Sequence, residues 1–206
     1  MRLSENLSKN GIGVEVSDFS LADLTRENIS FLWSKWVKYE LIVFPKLTLS
    51  HDEFKDFALS FGDFGDDPFI SSLPDYPNIA EIKRSANEKA TPFGGTWHSD
   101  WSFMKKPPSA TLLHSKIIPP VGGNTLFANT ERSFAALPEK MKNKLRNLKV
   151  IHSAKIPYAD DGFYALEKEE RSMKILPSKE AKATFSHPMV KICLLYTSDA
   201  ADEVLG

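Results

Sequence analysis

The residues best equipped for chemistry lie in one short run, Trp97-His98-Ser99-Asp100-Trp101-Ser102-Phe103. Read as an extended strand, this run sends side chains two apart to the same side. His98 and Asp100 then project together, while Trp97, Ser99 and Trp101 face the other way. An imidazole beside a carboxylate supplies two of the three protein ligands of the 2-His-1-carboxylate facial arrangement that holds non-haem Fe(II). A second His must come from elsewhere, and the coordination positions left open can take a chelating co-substrate and O2. By itself His-x-Asp is a weak signal. Residues of these common types meet at this spacing by chance, and a surface strand with one ion pair satisfies it equally.

The surrounding sequence sharpens the reading. Gly94-Gly95 precedes the run, where backbone must pass close to something. Pro107-Pro108 and the apolar Ala110-Thr111-Leu112-Leu113 follow, then Pro119-Pro120-Val121-Gly122-Gly123-Asn124-Thr125-Leu126-Phe127. That order resembles the taurine dioxygenase (TauD/TfdA-like) family of Fe(II)/2-oxoglutarate enzymes, over a span from near the N-terminus to about Lys191. The resemblance implies an enzyme that oxidises a small organic substrate with Fe(II), 2-oxoglutarate and O2, releasing succinate and CO2. It implies His98 and Asp100 as metal ligands and Thr125 as the hydroxyl that contacts the 2-oxoglutarate carboxylate. On pattern alone Thr125 is an ordinary β-branched strand residue. Asn124 stands where family members often carry Asp, a departure expected to be structural.

In the family, the second iron His and the Arg that pairs with the far carboxylate of 2-oxoglutarate both lie in the C-terminal part. Phe185-Ser186-His187-Pro188 resembles the His-Pro segment that comes before that part, and no later His or Arg occurs in this sequence. The run Cys193-Leu194-Leu195-Tyr196-Thr197-Ser198-Asp199-Ala200-Ala201-Asp202-Glu203 resembles a one-frame translation of the transposase adapter used to prepare sequencing libraries. The expectation is therefore an incomplete dioxygenase domain over 1–192, with its C-terminal part missing, and a non-native tail over 193–206. Such segments are excluded from fold reasoning. The fragment as it stands is expected to be inactive.

The other four histidines have plainer readings. His51 falls in the first turn of a helix, at the surface. His114, in an apolar strand, reads as a core imidazole or one supporting a ligand. His152 lies on a strand that approaches the site, with nothing in sequence pairing it with His98. His187 is set aside as a ligand, because family members carry a His-Pro there without using it on iron.

The elements that must position these residues begin with an alternating strand, Val14 to Phe19. Thr25 can cap a helix whose apolar stripe is Ile29, Leu32, Trp33, Trp36 and Val37. That helical spacing favours core packing for the two tryptophans over a ligand platform. Leu41 to Phe44 reads as a short buried strand. Ser50 and Glu53 form a capping box opening a helix with Phe54, Phe57, Ala58 and Phe61 on its inner face. Phe61 to Gly95 reads as an irregular substrate-covering excursion containing one strand, Ile79 to Lys83. Its Asp63, Asp66 and Asp67 fit no EF-hand spacing and read as turn carboxylates. Thr111 to Ile118 and Asn124 to Ala128 read as strands. A Thr130-capped helix through Leu137, a helix over 139–148 and a strand over 149–153 follow. Residues 154–183 read as a second flap.

The pattern gives an α+β, mainly β, class with helices gathered at the N-terminal side. The resemblance narrows this to a double-stranded β-helix, a jelly-roll core.

Composition bounds the rest. The chain is long enough for one cored domain and too short for two comfortable ones. A formal net charge of −1 without a free-standing Lys/Arg block gives no electrostatic support for nucleic-acid or membrane-surface binding. The N-terminus lacks a signal-peptide core, and no run is long enough to span a bilayer, so a cytoplasmic location is expected. One cysteine excludes an internal disulfide framework. The expected partner is a small molecule; a homo-oligomer stays open. Two rival functions share the motif: a jelly-roll binding module without catalysis, and a Zn(II) hydrolase using His98 and Asp100.

Substrate is where the sequence departs from the taurine enzymes. Those carry an Asn shortly before the Trp-His pair and polar His and Tyr residues in the preceding loop. Here Phe93-Gly94-Gly95-Thr96 stands before the pair, and no His lies between His51 and His98. Unmade buried hydrogen bonds are costly, so taurine is expected to be a poor substrate.

Overall fold

A computed structural model describes residues 2–4 and 11–192. The expected non-native tail lies outside the described residues. The chain divides into two units, one drawn from 1–63, 113–145 and 191–206, the other from 64–112 and 146–190.

In the first unit the alternation of Val14 to Ser17 forms a strand. β1 (Arg2–Ser4) pairs antiparallel with β2 (Val14–Ser17), which pairs in parallel with β3 (Ile42–Val43). Val14 and Val16 turn inward and are buried, while Glu15 and Ser17 stay partly exposed, the period of two that a one-sided strand requires. α1 (Arg26–Tyr39) starts where expected, with the Thr25 hydroxyl accepting from the Asn28 amide at 3.2 Å. It stops at Glu40, which adopts a left-handed φ of 64° and donates its N–H to the Trp36 carbonyl. Leu32 is the fully buried residue of its stripe, and Trp33 packs edge-on against Trp36 with ring centres 5.0 Å apart. The tryptophans are packing residues.

α2 (His51–Leu59) opens with the capping box: Ser50 Oγ accepts from Glu53 N–H, and Glu53 Oε2 accepts from Ser50 N–H at 2.7 Å. These bonds from Ser50 hold the Glu53 carboxyl below its usual range. Phe57 is buried at the centre of an aromatic cluster, with the rings of Phe19, Phe44 and Phe61 at 5.7, 5.4 and 5.2 Å, all edge-on. α3 (Thr130–Ala135) is capped by Asn129, one residue ahead of the expected Thr130, with Asn129 Oδ1 accepting from Arg132 N–H at 2.7 Å. α4 (Glu139–Arg146) follows.

The largest departure concerns the strands expected at 111–118 and 124–128. Among the described residues neither joins a ladder. Ile117 is 96 % exposed, and Ile118, Val121, Leu126 and Phe127 are exposed with it. Strand propensity reports that a segment fits a sheet; only a partner's hydrogen bonds make it a strand. Among the described residues no strand pairs with either segment.

In the second unit β4 (Ser72–Leu73) and β5 (Tyr76–Ala80) form a hairpin, so the strand expected at 79–83 sits a few residues earlier. β6 (Lys149–Ser153) pairs antiparallel with β7 (Thr184–Pro188), from Lys149 opposite Pro188 to Ser153 opposite Thr184. α5 (Lys155–Tyr158) and α6 (Phe163–Leu166) lie between them in sequence. The core is Phe69, Ala154, Ala159 and Ala181, with Phe103 and Tyr158 packed against it. Phe69 and Tyr158 stack face to face, 5.0 Å apart and 8° from parallel. The stretch 154–183, expected as a flap, thus supplies three of these four core residues, Ala154, Ala159 and Ala181, and also buries Met173. Small residues gave no apolar periodicity to read there.

Among the described residues the sheets are small, of three, two and two strands, and none closes into a barrel. No helix among them is long and apolar enough to cross a membrane.

Candidate metal centre

His98 and Asp100 meet, but not on a strand. Residues 97–104 are loop and turn. Trp101 has a left-handed φ of 47°, and the Met104 amide donates back to the Trp101 carbonyl at 2.9 Å. A turn starting at Asp100 folds its carboxylate back towards the imidazole, so His98 Nε2 and Asp100 Oδ1 stand 3.2 Å apart. The alternation expected of the neighbours fails with it. Trp97 is largely exposed, and Trp101 is directed by a tether of its own.

Each member of the pair is held by a second partner. His98 Nδ1 lies 2.6 Å from the Thr96 carbonyl oxygen. A carbonyl only accepts, so this nitrogen carries a proton and Nε2 is left to face Asp100. Gly94, at a left-handed φ of 67°, lays its backbone against the same ring; a Cβ there would sit 3.8 Å from His98 Cε1. Asp100 Oδ2 accepts from the Thr111 hydroxyl at 2.8 Å, which leaves Oδ1 turned to His98. His98 Nε2 therefore faces a carboxylate oxygen. At this distance the two share one positive charge, a proton on Nε2 or a cation held between them. For bonds of about 2.1 Å, neighbouring donors of an octahedral ion stand about 3.0 Å apart. The pair fits two adjacent corners of such an ion, and both side chains are about half exposed, open to an entering ligand.

Asp67, read from sequence as a turn carboxylate, has a larger part. Its Oδ1 accepts from the amides of Phe69 and Ile70 at 2.9 and 3.1 Å, and its Oδ2 accepts from Trp101 Nε1 at 3.2 Å. It ties the core residue Phe69 to the turn that carries Asp100. The only signal in sequence is the Asp-Pro pair, which marks a turn and says nothing of a partner so distant along the chain. Beside it Phe69, Phe103 and Tyr158 form an aromatic wall. Burial pushes the Tyr158 phenol up, with Tyr164, Asp67 and Asp100 adding to the shift, so it stays a hydrogen-bond donor. An apolar cleft of about 220 Å³ opens between Phe69, Phe103, Met104, Ala181 and Phe185.

The remaining candidates take other roles. Among the described residues no three His, Cys, Asp or Glu side chains gather as a metal set. His187, on β7, directs Nε2 at the Met104 carbonyl at 2.9 Å, which commits that nitrogen as a donor. His152 lies 5.5 Å from it, ring to ring. His114 packs on Phe54, 5.3 Å between rings, with Nδ1 buried and unpartnered; burial lowers its pKa. Thr125 belongs to the first unit and is exposed, two residues after Gly122 and Gly123, which take left-handed φ values of 81° and 70°.

Comparison with known proteins gives consistent findings. The model of the family described as "Taurine catabolism dioxygenase TauD, TfdA family" matches residues 4–193. An alkylsulfatase of Acinetobacter baylyi is 28 % identical over 182 residues, covering 87 % of this chain and 56 % of that protein. An alpha-ketoglutarate-dependent sulfate ester dioxygenase of Pseudomonas putida is 26 % identical over 184 residues, covering 88 % and 59 %. The chain thus spans somewhat more than half the length of these relatives. The crystal structure of AAD-2 in complex with Mn(II) and N-oxalylglycine superposes with a TM-score of 0.56 at 19 % identity, over 86 % of this chain and 63 % of that one. That likeness is one of fold.

Proposed function

The chain belongs to the TauD/TfdA family of taurine-catabolism dioxygenases, and on that premise we propose that the whole protein is an Fe(II)- and 2-oxoglutarate-dependent dioxygenase. The observation that carries the reading is the His98–Asp100 pair at 3.2 Å, with His98 Nδ1 engaged by Thr96 and Asp100 Oδ2 engaged by Thr111. In this reading His98 Nε2 and Asp100 Oδ1 are two of three protein ligands, and the third is a His that this sequence does not contain. The core of the whole protein is a double-stranded β-helix. Thr125 contacts the 2-oxoglutarate carboxylate.

Bound to such a centre, Fe(II) with 2-oxoglutarate and O2 supplies hydroxylation of an unactivated C–H bond, with succinate and CO2 as co-products. The contribution of this chain is geometry. The Thr96 carbonyl orients His98 through Nδ1–H and the Thr111 hydroxyl engages Asp100 Oδ2, so Nε2 and Oδ1 are the atoms that would hold the metal, with the outer-shell support that metal ligands generally need. The substrate is a small acid other than taurine, or a more apolar molecule: no His lies between His51 and His98 in the sequence, and Phe93-Gly94-Gly95-Thr96 stands in the stretch where the taurine enzymes carry an Asn. The names of the relatives, which include a sulfate ester dioxygenase, support that class.

The test is oxygen uptake coupled to succinate release in a full-length homologous gene. His98→Ala and Asp100→Ala abolish Fe(II)-dependent turnover, whereas Ser99→Ala stays within about threefold, the usual range for a side chain making no contact unique to the transition state. Equal losses at all three positions would refute the placement. A binding module gives no turnover at all, and a Zn(II) hydrolase gives turnover without oxygen uptake.

A further inference from the structure

Seventy residues beyond His98 in sequence, the segment 164–172 grips the loop that leads into the metal motif. Arg171 donates through Nε and Nη2 to Glu167 Oε2, at 3.1 and 2.7 Å. The other oxygen, Glu167 Oε1, accepts from the Thr91 amide at 3.0 Å, while Arg171 Nη2 also donates to the Thr91 carbonyl at 2.8 Å. Both backbone groups of Thr91 are therefore taken by one ion pair. Glu88 makes a second fastening: its carboxylate accepts from the Ser172 amide at 2.9 Å, the Ser85 and Ser172 hydroxyls meet at 2.6 Å, and Arg84 closes the loop internally onto the Ala90 and Glu88 carbonyls. The side chains of Glu88, Arg171 and Glu167 are only 2, 9 and 10 % exposed. A shielded ion pair of this kind is worth little over an apolar substitute, yet breaking one partner strands the other charges. It therefore specifies a geometry more than it stabilises the fold.

The geometry it specifies is that of His98. From Thr91 the backbone runs directly into Gly94, whose backbone packs on the imidazole, and Thr96, whose carbonyl takes the Nδ1 proton. A parallel route runs through rings: the Arg171 guanidinium lies 4.8 Å over Tyr164, which touches Phe93 at 6.1 Å and Tyr158 at 5.5 Å. We propose that Arg171, acting with Glu167 on Thr91, is a positioning residue that sets the orientation of His98 for the metal. Arginine suits the task because its fork bonds a carboxylate and a carbonyl at once while its face stacks on an aromatic ring, which lysine cannot reproduce.

The proposal rests on the metal-site reading, so its test keeps the two apart. The full-length protein carrying Arg171→Lys, Arg171→Met or Glu167→Gln is compared with wild type by Mn(II) titration followed by electron paramagnetic resonance. The same proteins are scored by nitrogen-15 NMR of the His98 ring, which reads the Nδ1–H tautomer without metal. Lys182→Met serves as control, since it breaks an exposed ion cluster with Asp160 and Asp161 in the same unit. The expected result is about a tenfold loss of Mn(II) affinity for each Arg171 and Glu167 variant, the scale of an outer-shell partner. It comes with averaging of the His98 tautomer signal, and Lys182→Met matches wild type in both. Variants that are folded by circular dichroism and keep both the wild-type Mn(II) affinity and the fixed tautomer overturn the proposal. A wild type that binds no Mn(II), with the tautomer still lost in the variants, refutes the metal site and supports the positioning role.

Discussion

Asp67→Ala provides a quantitative test of how the motif turn is anchored. The substitution removes three hydrogen bonds at once: two from the amides of Phe69 and Ile70, both buried residues, and one from the Trp101 indole. A hydrogen bond to a charged group is worth about 1.5–3 kcal/mol, and Asp67 is partly exposed, so about 1 kcal/mol apiece is the fair figure. The sum is about 2–3 kcal/mol, which for a chain of this length lowers the thermal midpoint by about 5–10 °C. The part that concerns the site is the third bond. Asp67→Asn keeps one acceptor oxygen for the amides and turns its NH2 on the indole N–H, and Trp101→Phe keeps most of the ring without the donor. Each single variant should cost about 1 kcal/mol, and the double variant little more than one of them, a coupling of about 1 kcal/mol. Differential scanning calorimetry on the four proteins measures it, and the Trp101 indole proton gives a direct NMR reading of the bond. Coupling under about 0.3 kcal/mol, or an Asp67→Ala protein that melts with wild type, would mean the Asp67–Trp101 bond is incidental.

Three further outcomes are expected. His114 has its pKa lowered by burial, so the unfolded chain binds the proton more tightly; the stability it contributes is full above the ordinary imidazole value of about 6.5 and is lost as pH falls through the folded value. The urea midpoint should drop between pH 7 and pH 5, and His114→Leu should flatten that drop; parallel curves would disprove the attribution. The exposed Ile117, Ile118, Val121, Leu126 and Phe127 should bind an apolar dye and promote self-association, and Ile117→Glu with Val121→Lys should suppress both with a stability change within about 0.5 kcal/mol. Dye binding that the paired substitution leaves untouched would place the sticky surface elsewhere. Finally, a completed enzyme assayed against sulfonates, carboxylates and sulfate esters should rank taurine low by kcat/KM, and taurine as the clear winner would overturn the substrate argument.

What could be read from the amino-acid order divides along physical lines. Features governed by contacts within one turn of chain were legible: the Thr25 cap, the Ser50–Glu53 box, the buried face of β2 and the Leu32 stripe all depend on neighbours a few residues away. The pairing of His98 with Asp100 was legible as a pair and misread as a strand, because the left-handed φ at Trp101 is set by a carboxylate 34 residues upstream. The clasp between 84–91 and 167–172 joins segments some 76 to 87 residues apart through side chains that carry no periodicity. The segments 111–118 and 124–128 show the converse: local propensity was clear, and the partner that would turn it into a ladder is not written in the segment itself.

The turn at Trp101 also determines which mistakes the site can survive. Had His98 and Asp100 been neighbours on a sheet, a slip of one residue in pairing would have sent both to the opposite face and erased the centre. Mounted on a turn whose shape is fixed by Asp67 and by the Met104–Trp101 bond, the two donors keep their mutual distance whatever the surrounding strands do. The arrangement exchanges tolerance of register error for intolerance at a single position. A β-branched residue at 101 would resist the left-handed backbone, and glycine would accept the backbone but surrender the indole that anchors it. Variation in this protein should accordingly be frequent in the sheet edges and scarce at residue 101.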